Sequence, residues 1–76
     1  MGNIHTSGED YLEAILVLWN KQNGEVRSID VARELNVTKP SVSNAMKILR
    51  EGKFITMDEN GFINLTDAGR YVAEKI

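Results

Sequence analysis

Two short amphipathic helices separated only by Asn36 and Val37 constrain this chain more than any other feature. The second of them, residues 38–51 (TKPSVSNAMKILRE), has two faces that want different partners. Thr38 is a good N-cap, and Pro40 falls in the first turn, where its missing N–H costs nothing and its fixed φ suits a helix start. Val42, Ala45, Met46 and Leu49 recur at helical spacing and define a core-facing stripe. The opposite side carries Lys39, Ser41, Ser43, Asn44 and Lys47, with no acid before Glu51. A solvated face would account for polar residues too, but such faces usually mix both signs of charge. This one suits a surface rich in hydrogen-bond acceptors.

The preceding helix, residues 28–35 (SIDVAREL), takes Ser28 as its N-cap and turns Ile29, Ala32 and Leu35 or Val31 inward. A helix, a tight turn and a second capped helix form the helix-turn-helix arrangement, whose second helix is placed to enter the major groove of DNA. A net charge of −2 and a pI near 5.3 at first oppose such a partner, because nucleic-acid binding relies on cations that neutralise phosphates. The distribution answers part of the objection. Residues 38–53 hold Lys39, Lys47, Arg50 and Lys53 against Glu51, a local balance of +3, while Glu9, Asp10 and Glu13 gather on the first helix. The expectation is binding through base and phosphate contacts from a dimer, with weak non-specific affinity for an isolated domain.

The remaining segments complete one small domain within 76 residues. Residues 1–6 read as a flexible start, in which His5 is a solvated terminal residue rather than a ligand; Gly2 and Thr6 match the short N-myristoylation pattern, with nothing else pointing to a membrane. Residues 7–22 form the first helix, with Ser7 as cap, Asp10 as its capping-box partner and Tyr11, Leu12, Ile15, Leu16, Leu18 and Trp19 as a broad apolar face; Asn23 and Gly24 end it. Residues 25–27 are extended, with room for a small strand. After Gly52 breaks the third helix, residues 54–57 and 62–65 are apolar-rich runs flanking Asp58-Glu59-Asn60-Gly61, and an Asn-Gly pair between such runs is a strong hairpin signal. Lys53, Asn60 and Asn64 are the hairpin's candidates to touch DNA. Thr66 opens a last helix, with Asp67 in its first turn favourable to the dipole. It runs to Ile76 without a stop signal, so the natural protein is expected to continue beyond it. The order α-β-α-α-β-β-α predicts a mainly α fold with a small β-hairpin, a winged helix-turn-helix over residues 7–65.

These residues carry a resemblance. GEDYLEAILVL, VRSIDVARELNVTKPSVSNAMKILREGKFI and INLTDAGRYVAEKI together resemble the N-terminal domain of the diphtheria toxin repressor and manganese transport regulator family of metal-dependent repressors. The PSVS segment (Pro40 to Ser43) and the LTDAGR segment (Leu65 to Arg70) are its more diagnostic parts. The resemblance implies a homodimeric repressor of metal-uptake genes that binds a palindromic double-stranded operator when Mn²⁺ or Fe²⁺ is plentiful. Residues 66–76 would start a linking helix to a dimerisation domain absent from this chain. It places Pro40 and Asn44 at base edges and Thr38, Ser41 and Ser43 near phosphates, where Asn can pair with adenine, Pro can meet a thymine methyl and hydroxyls can donate to phosphate oxygens. Asn44 is shorter than the Gln or Lys that relatives can carry there. Lys39, Lys47 and Asn60 complete the candidate DNA-binding set.

The resemblance also matches Asp10 and Glu13 to two carboxylate ligands of the manganese-type members. Their spacing puts both on one helical face, and oxygen donors without a thiolate suit a hard ion better than Zn²⁺. Acids in a first helical turn are favourable without any metal, and the family's remaining ligands would follow Ile76. At most half a metal site is therefore expected in this chain, which should bind Mn²⁺ weakly, sense no metal alone and dimerise poorly.

Two alternatives stay open: a winged-helix regulator of another type without metal, and a winged helix used for protein contacts, which the acidic pI permits. No enzyme is expected, given the lack of cysteine, a single histidine, no evident base beside any Ser or Thr, no Gly-rich phosphate loop, and a domain too small to offer Asp10 and Glu13 a cleft for acid–base work. No small-molecule substrate is expected. The absence of cysteine, of an apolar run long enough to span a membrane and of a signal-peptide pattern predicts a cytoplasmic location.

Overall fold

A computed structural model describes residues 8–75 as α1 (Gly8–Lys21), α2 (Ser28–Leu35), α3 (Lys39–Glu51), β1 (Ile55–Met57), β2 (Ile63–Leu65) and α4 (Asp67–Lys75). The Ser7 cap, His5, the Gly2 and Thr6 pair and the helix end at Ile76 lie outside the described residues. The apolar face of α1 buries Tyr11, Leu12, Ala14, Ile15 and Leu18, and packs against α4, α2 and β2. One core results: Ile15, Val26, Val31, Val42 and Ile63, from five different segments, are its most completely buried large side chains.

Tyr11 is 4% exposed, and burial raises its phenol pKa above the ordinary value of 10.0. An acid whose folded pKa is raised stays protonated in the native state while the unfolded chain already releases its proton. Its contribution is therefore intact below pH 10.0 and lost as pH rises from there toward the folded value. Thermal melts between pH 9 and 11 should show a Tm that falls from about pH 10, by up to about 1.4 kcal/mol of stability per pH unit. Tyr11→Phe should remove most of that slope; an unchanged slope would place its origin elsewhere.

Several local readings shift in the folded chain. The extended residues 25–27 do not form a strand: one hydrogen bond, from Ile63 N to Val26 O (2.7 Å), ties them to β2. The chain already turns into α2 at Arg27, which leaves no length for a ladder. Arg27, not Ser28, is the N-cap of α2, because the Asp30 carboxylate accepts from Arg27 N (3.0 Å) and draws Ser28 into the first turn. The buried stripe of this two-turn helix is Val31 and Ala32, with Leu35 packed against the core. Ile29 lies about a third of a turn from that stripe and is 40% exposed.

Between α2 and α3 the chain turns at Asn36, a left-handed residue (φ 55°) that asparagine tolerates well; Val37 N then reaches back to Ala32 O (3.0 Å). Thr38 caps α3, accepting from Ser41 N (3.3 Å) and donating to Ser41 Oγ (2.9 Å). Val42, Met46 and Leu49 are buried and Ala45 packs at the margin. At the far end the left-handed residue is Lys53 (φ 64°) rather than Gly52 (φ −80°), and Phe54 N closes the helix onto Leu49 O (2.9 Å).

The hairpin pairs Ile55 with Leu65, Thr56 with Asn64 and Met57 with Ile63. Its Asn-Gly pair does not form a two-residue turn, since of the two only Gly61 has positive φ (84°). Gly61 N instead bonds Asp58 O (3.0 Å), and the Asp58 carboxylate accepts from Asn60 N and Phe62 N (both 2.9 Å). That is a type I turn followed by a glycine bulge, the common three-residue hairpin loop. The hairpin then leads into α4 through Thr66, whose Oγ1 donates to Lys53 O (2.7 Å) and accepts from Gly69 N (3.1 Å).

Candidate nucleic-acid interface

Folding leaves the outer face of α3 in solvent: Thr38, Lys39, Pro40, Ser41, Ser43, Asn44 and Lys47 are all exposed. The helix buries its apolar stripe against α2, α1 and β1, so this face cannot turn inward without emptying the core. The Thr38 and Ser41 hydroxyls share a hydrogen bond of 2.9 Å at the start of this face. Lys47, Arg50 and Glu51 line an open pocket on the helix's second half. Arg50 thus joins Lys47 as a cation on the exposed surface, a pairing readable from their helical spacing.

The hairpin follows α3, packs against it through β1, and is tied by three further contacts to segments that precede α3. Val26 binds Ile63 through the backbone, the Arg27 guanidinium lies 4.6 Å from the centre of the Phe62 ring, and Trp19 Nε1 donates to Asn64 Oδ1 (3.4 Å). The last contact turns the Asn64 side chain onto α1 and away from the hairpin's outer surface. Asn60, at the loop tip, is exposed, with its backbone N–H occupied by Asp58. Lys53, also exposed, sits where α3 passes into β1.

Asp10 and Glu13 line one open pocket of about 180 Å³ with Ala14, Val17, Glu34 and Leu35. Glu34, from α2, is a third carboxylate on that pocket, a neighbour no helix-by-helix reading of the sequence connects to α1. Two oxygen donors suit a hard divalent cation, yet among the described residues no group of three or more His, Cys, Asp or Glu is placed to hold a metal ion. The donor set fits part of a coordination sphere.

A helix-turn-helix with an exposed, nearly acid-free second helix and a hairpin docked beside it defines a winged helix-turn-helix DNA-binding domain. The family model described as iron dependent repressor, N-terminal DNA binding domain, matches residues 3–63, and the chain belongs to that family. Its members are transcriptional repressors, not enzymes. The fold is similar to that of ScaR with bound Zn²⁺, at a TM-score of 0.77 and 25% sequence identity over 91% of this chain. This chain spans 31% of the length of that one. No curated protein sequence matches. Among the described residues no helix is long and apolar enough to cross a membrane.

Proposed function

We propose that this chain is the DNA-reading part of a Mn²⁺- or Fe²⁺-responsive, homodimeric, cytoplasmic repressor of metal-uptake genes, with α3 in the major groove of each half of a palindromic operator. The observation that carries the reading is the exposed face of α3, which has a proline, an amide, hydroxyls and cations and meets no acid until Glu51. Pro40 and Asn44 lie at base edges, where Asn44 offers a donor and an acceptor to adenine and Pro40 an apolar surface to a thymine methyl. Thr38, Ser41, Ser43, Lys39 and Lys47 face phosphates and fix the register, while Asn60 carries the hairpin tip to the flanking backbone or minor groove.

Asp10 and Glu13 would hold the metal through oxygen donors, with the rest of the coordination coming from outside the described residues. When bound, the cation supplies positive charge that offsets the two carboxylates. Asp10 and Glu13 then tie α1, the helix that packs against α2, α4 and β2, to whatever completes the site.

The test is anisotropy titration of the 76-residue chain into random and palindromic duplexes at several salt concentrations, alongside Mn²⁺ binding followed by electron paramagnetic resonance. If Lys39, Lys47, Arg50 and Lys53 each neutralise one phosphate, log K should fall against log salt with a slope of about −3.6 per bound chain. Mn²⁺ should bind weakly and lose that binding in Asp10→Ala. Failure to bind any duplex at low salt would bring the protein-contact reading forward. Mn²⁺ binding unchanged in Asp10→Ala would remove the metal assignment alone.

A further inference from the structure

Ile48 is 56% exposed on α3, the helix whose other large apolar residues, Val42, Met46 and Leu49, are buried. A single exposed isoleucine needs no explanation in itself. Its place on the helix gives it one. Residues four apart on a helix are displaced by only about 40° around the axis, so Pro40, Asn44 and Ile48 form one slowly turning stripe along the exposed face. Lys39, Ser43 and Lys47 form the neighbouring stripe, joined by Arg50. The exposed face is therefore divided lengthwise into a cationic strip suited to phosphates and an uncharged strip suited to base edges. Glu51, beyond Ile48, ends both, because a carboxylate there repels the phosphate backbone. From Pro40 to Ile48 the helix rises about 12 Å, or about three and a half base-pair steps.

Resting on the reading of α3 as the helix in the major groove, we infer that Ile48 is a specificity-determining residue that packs against the C5-methyl group of a thymine at the far end of each half-site from Pro40. In the major groove that methyl is the apolar feature a branched aliphatic side chain can recognise; cytosine, adenine and guanine present donors and acceptors instead. An isoleucine gains by leaving water against a methyl and loses where a polar edge would be left unpaired. The same helix thus selects thymine at this position both by attraction and by exclusion.

The 76-residue chain is first used to enrich its preferred duplexes from a random-sequence pool at low salt. Each thymine in the enriched site is then replaced by deoxyuridine, which removes only the methyl group. One thymine per half-site should weaken binding about fourfold when its methyl is removed. Ile48→Ala should weaken binding to the thymine duplex about tenfold and bind the deoxyuridine duplex no more weakly than the thymine one. Ile48→Val should retain most of the discrimination. Since Ile48 is exposed, all variants should keep the wild-type melting temperature. The inference is overturned if Ile48→Ala binds the thymine duplex like the wild type, or if it loses the same factor on both duplexes. Enrichment of no duplex by the wild-type chain is a separate outcome, which overturns the placement of α3 in the groove and this inference with it.

Discussion

Gly69→Ala should lower the stability of this domain by about 3 kcal/mol and its Tm by roughly 15 °C. On helix propensity alone the change should stabilise α4 by about 1 kcal/mol, since glycine is a poor residue inside a helix. The tertiary contact reverses the sign. A Cβ on Gly69 would lie 2.0 Å from Phe54 O and 3.0 Å from Phe54 C, with Leu65 Cδ2 at 3.3 Å. The obstacle is backbone, and it is not free to retreat: Phe54 O accepts from Thr66 N (3.0 Å), and Phe54 N holds the end of α3 (2.9 Å). Relief would require α4 to lift from Phe54 and would strain the Thr66 cap that accepts from Gly69 N. For a domain of this size, a loss of about 3 kcal/mol is a large part of the total. Circular-dichroism melts measure it directly, and a wild-type Tm would show that the two backbones can separate cheaply.

The largest functional effects are expected at Asn44 and Lys47, and they should differ in kind. Both side chains are exposed, so replacing either by alanine should leave the fold intact. With α3 placed in the major groove as proposed, Asn44→Ala would remove a donor and an acceptor from a base edge. It should cost about 10- to 100-fold on the preferred duplex while leaving binding to duplexes changed at that one base pair almost unaltered. Lys47→Ala should weaken binding to every duplex by a similar factor and reduce the salt slope by about 0.9. Anisotropy titrations on a panel of single-base variants separate the two patterns. Uniform weakening by Asn44→Ala would move Asn44 from the base edge to the backbone, and an unchanged salt slope for Lys47→Ala would remove its phosphate contact.

Much of the architecture was legible in short windows of sequence because it depends on interactions within a turn or two of chain. The apolar repeat of Val42, Ala45, Met46 and Leu49, the Thr38 and Thr66 caps and the Asn23-Gly24 stop are local devices, and all appear in the fold. Even local signals were ambiguous where two residues compete for one role. Asp30 made Arg27 rather than Ser28 the cap of α2, and Asp58 turned an Asn-Gly signal into a type I turn with a glycine bulge.

What only the tertiary structure decided is which surfaces meet across long separations. Trp19 claims Asn64, which is 45 residues away, and so removes it from the hairpin's outer face. Phe54 makes glycine a requirement at residue 69. Glu34 reaches the pocket of Asp10 and Glu13 because α2 packs on α1. Local periodicity determined what each segment is and which of its faces is apolar. Close packing of those faces determined which polar side chains remained at the surface to read another molecule, because a side chain is exposed or covered by its neighbours in space and not by its neighbours in the chain.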